Sequence, residues 1–72
     1  MKLLTIVDRI SAICEDLAHR PGESADRTLC RTSFRVSIRP DGTERFEARH
    51  GGMISDMQDL DDLAADIYRF QF

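Results

Sequence analysis

Five aspartates lie within the short segment from Asp56 to Asp66, and carboxylates grouped this closely could bind a cation or a basic partner. A calcium loop needs alternating acidic ligands, a glycine at the turn and a final glutamate, and the segment lacks that spacing. A helix macrodipole favours acidic residues at the first turn, which accounts for Asp56 and Asp59. Because Asp62 and Asp66 lie further along, Asp59, Asp62 and Asp66 are candidate contacts for a basic partner, the alternative being an ordinary solvated face.

Carboxylates along one helix face could occupy a groove that normally receives phosphates, because arginine and lysine bind both groups through charge-assisted hydrogen bonds. This chemistry predicts a non-enzymatic, acidic protein-binding module, in one version an inhibitor that blocks a basic or nucleic-acid-binding site on a partner complex. Small phage proteins that block bacterial defence complexes offer an analogy in size and charge only. No motif of the chain identifies such a family.

Two aromatic residues, Tyr68 and Phe72, lie at the edge of the apolar stripe of the same segment. Exposed aromatic side chains dominate the energetics of many protein interfaces, so these two residues complete the candidate partner-binding site. The alternative is that both fold back and seal a small core.

The opposite charge is concentrated upstream, where six arginines lie between Arg27 and Arg49. Glu44 and Glu47 dilute this positive charge, and no stacking platform for bases accompanies it. Nucleic-acid binding is therefore the alternative function, and a homodimer that joins the arginine sheet to the aspartate helix, or pairs sheet edges, is a third. The arginines predicted to share one sheet face and follow a phosphate backbone are Arg31, Arg35, Arg39, Arg45 and Arg49.

Residues suited to metal binding or catalysis are few. The soft metal ligands Cys14, Cys30, His19 and His50 match no zinc spacing, and both cysteines are predicted to be small core residues. No serine has a base motif nearby, and a single glycine pair is too short for a phosphate loop. We therefore expect no enzyme activity, no metal and no cofactor.

The chain has 72 residues and a net charge of −3, which predicts one domain over residues 1–72. A domain of this size removes only about 60% of its unfolded surface from water, so it commonly relies on a partner. The first apolar run is too short for a signal peptide, and no run approaches the roughly 20 apolar residues of a membrane span. We expect a cytoplasmic protein without membrane contact.

The beginning of the chain has helical periodicity. Apolar residues at i, i+3, i+4 and i+7 predict an amphipathic helix over residues 2–19, which should end before Pro21 and Gly22. The β-branched residues within Lys2–Val7 allow a strand as the competing interpretation. Residues 20–29 lack periodicity and predict a loop.

Period-two alternation predicts a β-hairpin over residues 30–49, with Cys30 as the first inward residue. The turn sequence Pro40-Asp41-Gly42 predicts a three-residue loop with the glycine in the left-handed conformation. This loop sets Arg35 opposite Glu47, whereas a loop two residues longer would set Arg35 against Arg49 and cost charge repulsion.

The remaining segment predicts a second helix. Met53 and Ile54 could add a brief third strand, and Ser55-x-x-Gln58 predicts a capping box before a helix over residues 56–69. The predicted fold is a small two-layer α+β domain of helix-hairpin-helix order (α-β-β-α), with both helices on one face of an antiparallel sheet. The predicted core comprises Leu3, Ile6, Ile10, Ile13, Leu17, Phe34, Val36, Ile38, Phe46, Leu60, Leu63 and Ile67.

Overall fold

The computed structural model describes residues 1–72 and contains two helices and four strands. The strands form one antiparallel sheet in sequence order, and both helices pack on the same face of it, which confirms the predicted two-layer α+β architecture. In chain order the elements are α1 (Leu3–Ala18), β1 (Ser24–Leu29), β2 (Thr32–Ile38), β3 (Glu44–His50), β4 (Met53–Met57) and α2 (Leu60–Phe70).

The first segment is a helix and not a strand, because the apolar stripe of α1 packs against the sheet and the second helix from Ile6 to Leu17. Ile6, Ile10 and Leu17 are fully buried, and Ile13 is partly buried. Leu3 is exposed, which corrects its predicted place in the core.

The segment predicted as a loop over residues 20–29 contains β1, so that prediction was wrong. The strand pairs with β2, and Ala25 lies opposite Val36 in the core. Arg27 interrupts the apolar alternation, since at the edge of the sheet a charged side chain can stay in water. Cys30 is exposed in the following turn with a φ of 57°, which contradicts its predicted inward position.

The hairpin of β2 and β3 has the predicted loop and register. The Arg39 N–H donates to the Thr43 carbonyl at 2.9 Å, and the Gly42 N–H donates to the Arg39 carbonyl at 2.8 Å. Gly42 has a φ of 89°, a conformation that glycine adopts without a side-chain clash. Arg35 lies opposite Glu47, as the charges predict.

The third strand suggested by the sequence extends from Met53 to Met57, which shortens the second helix. A two-residue Gly51-Gly52 turn joins β3 to β4, and glycine pairs suit such tight hairpins. Ser55 therefore lies in a strand opposite Ala48, so the predicted capping box was wrong. The residue before α2 is Asp59, whose side chain makes no capping hydrogen bond.

The core lies between the sheet and the helix pair. Nine of the twelve predicted core residues are buried, while Ile13 and Leu60 are partly buried beside it. The small side chains of Ala25, Ala48 and Ala64 allow the helices to pack closely on the sheet. The buried apolar residues are Ile6, Ile10, Leu17, Ala25, Phe34, Val36, Ile38, Phe46, Ala48, Leu63, Ala64 and Ile67.

Candidate protein-interaction surfaces

The predicted acidic face does not keep all three of its aspartates. Asp66 is only 8% exposed, and its carboxylate lies 2.5 Å from Nε2 of His50. The flank of α2 that carries Asp66 packs over the end of β3, which contradicts the predicted projection of this residue into solvent. A substitution at Asp66 would therefore change a packed contact as well as any binding.

A second contact fixes the same region of α2. The ring of Phe70 stacks on His50 with centroids 3.9 Å apart and an interplanar angle of 27°. His50 thus joins the end of β3 to the last turn of α2 through one hydrogen bond and one ring stack. Asp66 is the side-chain hydrogen-bond partner of the imidazole, and the pair holds α2 against the end of β3.

The exposed aspartates lie at the start of α2. Asp61 and Asp62 occupy the first turn and Asp59 precedes it, where the helix macrodipole favours negative charge. Asp56 lies in β4, and its carboxylate accepts a hydrogen bond from Arg45 at 3.4 Å. The predicted acidic cluster is therefore divided between a helix start, a strand and a buried flank.

The predicted aromatic contacts are exposed. Phe72 is 84% exposed and Tyr68 is 38% exposed, and the two rings meet edge to face with centroids 5.4 Å apart. Neither ring closes over the core. Eleven residues of helix separate this end of α2 from Asp59, a distance of roughly 16 Å.

One exposed stripe nevertheless connects the acidic and aromatic ends of α2. Asp61, Ala65 and Tyr68 follow i, i+4 and i+7 spacing, and the ring of Phe72, two residues beyond the helix, contacts Tyr68; all four residues are exposed. Residues at this spacing share one side of a helix. Sequence reasoning missed Asp61 as the acidic member of this stripe, although Asp61 lies seven residues before Tyr68, a spacing that puts both on one side of a helix.

The end of α2 meets the beginning of α1. The Met1 amino group donates to Oε1 of Gln71 at 2.8 Å, and Nε2 of Gln71 donates to the Met1 carbonyl at 2.9 Å. The two helices are thus antiparallel, and six large apolar residues that stay exposed lie at these two ends of the chain. We name this surface the helix-end patch, formed by the exposed residues Met1, Leu3, Leu4, Tyr68, Phe70 and Phe72.

The outer face of the sheet, which no helix covers, carries balanced charge. Arg35 donates to the Asp26 carboxylate at 2.8 Å and lies opposite Glu47, and Arg45 pairs with Asp56. The hydrogen bond from Arg35 lowers the pKa of the Asp26 carboxyl below its usual range. The outer face of the strands carries three arginines (Arg35, Arg45 and Arg49) and three carboxylates (Asp26, Glu47 and Asp56).

Two of the five arginines predicted for this face lie off the strands. Arg31 belongs to the turn between β1 and β2, and Arg39 follows the end of β2. Arg49 lies on the face, and its Nε is buried without a hydrogen-bond partner. The strands β1 and β4 bring acidic neighbours that the hairpin alone did not reveal.

The cysteines differ in their surroundings. Burial raises the pKa of the Cys14 thiol to about 12, and the negative charge of Glu44 adds to the effect. Such a thiol stays protonated and unreactive at neutral pH. No group of three or more histidine, cysteine, aspartate or glutamate side chains is arranged to hold a metal ion, and neither helix is long and apolar enough to cross a membrane.

Comparison with known proteins gave no match to a protein-family model, a curated protein or a solved structure.

Proposed function

We propose that the protein is a non-enzymatic protein-binding module that contacts its partner through the helix-end patch, with Tyr68 and Phe72 as the anchors. The observation that carries this proposal is the exposure of six large apolar residues at the beginning of α1 and the end of α2, two ends that the contacts between Met1 and Gln71 bring together. Contiguous exposed apolar surface on a small domain marks an interaction site more often than scattered apolar residues do.

The energetics favour the two aromatic residues as anchors. Burial of an apolar side chain of this size contributes about 1.5–3 kcal/mol, and aromatic residues dominate binding hot spots. Most of the surface of Phe72 is exposed, so a partner could bury it on binding. Tyr68 is held by the helix backbone and by its contact with Phe72, so little conformational freedom is lost when a partner binds.

The exposed stripe of α2 gives the partner a second property. A protein that covers the stripe meets Asp61 about one helix length from Phe72. Basic side chains roughly 16 Å from an aromatic-binding pocket would complement both ends. Where the basic site of the partner normally binds another ligand, the acidic end of α2 would displace that ligand, and the protein would then act as an inhibitor.

Nucleic-acid binding has less support. The outer sheet face carries equal numbers of positive and negative side chains, and two of its three arginines are paired with aspartates. A phosphate backbone needs an excess of positive charge to release counterions.

The test is retention of a partner from lysate of the native host, with and without nuclease, on the immobilised protein. Wild type and the double variant Tyr68→Ser/Phe72→Ser are compared, with Ala12→Ser/Ala18→Ser as the control because both alanines are exposed on α1 outside the patch and outside β4. We expect a protein that is retained despite nuclease, kept by the control and lost with the double variant. Equal retention by the double variant, with unchanged circular dichroism, would reject the proposal.

A companion variant tests the charged end. Asp61→Asn should weaken retention by less than tenfold and reduce its dependence on salt, while the folded structure is unchanged because the side chain is exposed. Retention of nucleic acid that nuclease or salt removes would instead assign the function to the arginines.

A further inference from the structure

The two edges of the sheet are protected to different degrees. The β1 edge carries Asp26 on the outer face and Arg27 on the inner face, and charged side chains of this kind discourage strand pairing. The β4 edge exposes 73% of Met53 and 61% of Ile54. Its only charged residue, Asp56, is already paired with Arg45.

The backbone of β4 has free hydrogen-bonding groups at known positions. In an antiparallel pair of strands, hydrogen-bonded residue pairs alternate with pairs that are not hydrogen-bonded. Because Arg39 and Thr43 form a hydrogen-bonded pair, residues 45, 47 and 49 of β3 also form their backbone hydrogen bonds with β2. Residues 46, 48 and 50 consequently bond to β4 at positions 57, 55 and 53. The N–H and C=O groups of Ile54 and Asp56 therefore point away from the sheet.

We propose that β4 pairs antiparallel with β4 of a second copy of the chain, about a twofold axis at Ser55. In this register Ile54 of each copy lies opposite Asp56 of the other copy. Each of these two residue pairs exchanges two backbone hydrogen bonds, so four hydrogen bonds join the two sheets into one sheet of eight strands. Met53 lies opposite Met57 of the second copy on the helix-covered face, so the exposed Met53 gains an apolar neighbour.

The other symmetric registers are less favourable. An axis at Asp56 sets this carboxylate against its own copy, and like charges directly opposite each other are destabilising. An axis at Ile54 runs the strand into the Gly51-Gly52 turn and leaves Met57 without a partner. The Ser55 axis alone pairs all five residues of β4, which makes the strand complementary to itself.

The dimer does not depend on the proposed function, because the helix-end patch stays outside the paired strands. The dimer would carry two helix-end patches. A partner with two binding sites would then bind more tightly, because the first contact raises the effective concentration of the second site.

The experiment combines mass measurement with a designed cross-link. Sedimentation equilibrium from low to high micromolar concentration should show a reversible dimer. Ile54→Lys should abolish the dimer with unchanged circular dichroism, while Ser24→Lys on the β1 edge should leave it intact, since both positions are exposed. A monomer at every concentration, or a dimer that survives Ile54→Lys, would overturn the proposal.

The register is tested by Ser55→Cys in a Cys14→Ala/Cys30→Ser background. Ser55 would form a non-hydrogen-bonded pair with its own copy at a Cα separation of about 4.5 Å, within the roughly 4.4–6.8 Å range of disulfides. Mild oxidation should convert most of this variant to a covalent dimer, whereas Ser24→Cys in the same background should stay monomeric on denaturing gels. A dimer without the Ser55 cross-link would reject the twofold axis proposed here.

Discussion

The inner and outer faces of the sheet are held by different forces, although the same strands form both. On the inner face Phe34, Val36 and Phe46 are buried between the sheet and the helices. On the outer face the alternate residues Arg35 and Arg45 make ion pairs that stay in contact with water. One face is dry and apolar, and the other is wet and charged.

The difference in energy between the two faces is large. A buried aromatic or aliphatic side chain contributes about 1.5–3 kcal/mol from removal of its surface from water. An exposed ion pair contributes about 0–1 kcal/mol, because solvent screens it and ordering two long side chains costs entropy. Stability should therefore depend on the inner face, while the outer face can change with little loss.

Removal of one aromatic ring from the inner face should have the largest effect. Phe46→Ala should destabilise the domain by about 3–5 kcal/mol, because it leaves a cavity in the centre of the core. A domain of this size has about that much stability in total, so the variant should be largely unfolded at 25 °C. Circular dichroism with urea titration measures the effect. Arg45→Ala, one residue away on the outer face, should cost less than about 1 kcal/mol, and similar losses for both variants would contradict the comparison.

A substitution at Thr32 should have an effect of intermediate size, and it tests whether a buried hydroxyl on the inner face lacks a hydrogen-bond partner. Thr32 is fully buried, and its hydroxyl has no hydrogen-bond partner. An unsatisfied buried hydroxyl costs about 1–3 kcal/mol, so Thr32→Val, which keeps the shape, should raise stability by roughly 1 kcal/mol and the Tm by about 4–8 °C. Calorimetry of this variant beside Thr28→Val on the outer side separates burial from strand propensity. A lower Tm for Thr32→Val would show that the hydroxyl has a partner.

The smallest expected effect lies on the outer face and depends on pH. Since the pKa of Asp26 is lowered in the folded state, its pairing with Arg35 stabilises the fold above about pH 4, near the unfolded pKa. That stabilisation is lost as the pH falls through the lower folded pKa. Asp26→Asn should therefore cost well under 1 kcal/mol at pH 7, and this cost should shrink as the pH falls below about 4. Thermal melts of both proteins across this range measure the difference, and a gap that widens in acid would contradict the assignment.

The sequence predicted the elements that local pattern determines. The spacing of Ile6, Ile10 and Leu17 was sufficient for α1, and Pro40 to Gly42 was sufficient for the register of the central hairpin. The edge strand β1 was missed because backbone pairing with β2 stabilises it, while Arg27 breaks its alternation. Pairing with β3 likewise overrode the capping pattern that begins at Ser55.

The candidate sites were predicted less completely than the fold. The exposure of Tyr68 and Phe72 agrees with the predicted aromatic contacts, whose role in binding stays a prediction. The burial of Asp66 could not be predicted, because its partner His50 is sixteen residues away and the contact depends on how α2 is rotated over β3. Sequence periodicity gives the faces of a helix but not which distant side chain meets its flank.

The sequential strand order also has a consequence for folding kinetics. Each strand pairs only with its neighbours in the chain, so every hairpin closes over a short loop at a small cost in chain entropy. Low contact order of this kind is associated with fast folding. The packing of α1 on α2 is the contact that joins the most distant parts of the chain. We therefore expect the sheet to form early and the docking of the two helices to complete the native state.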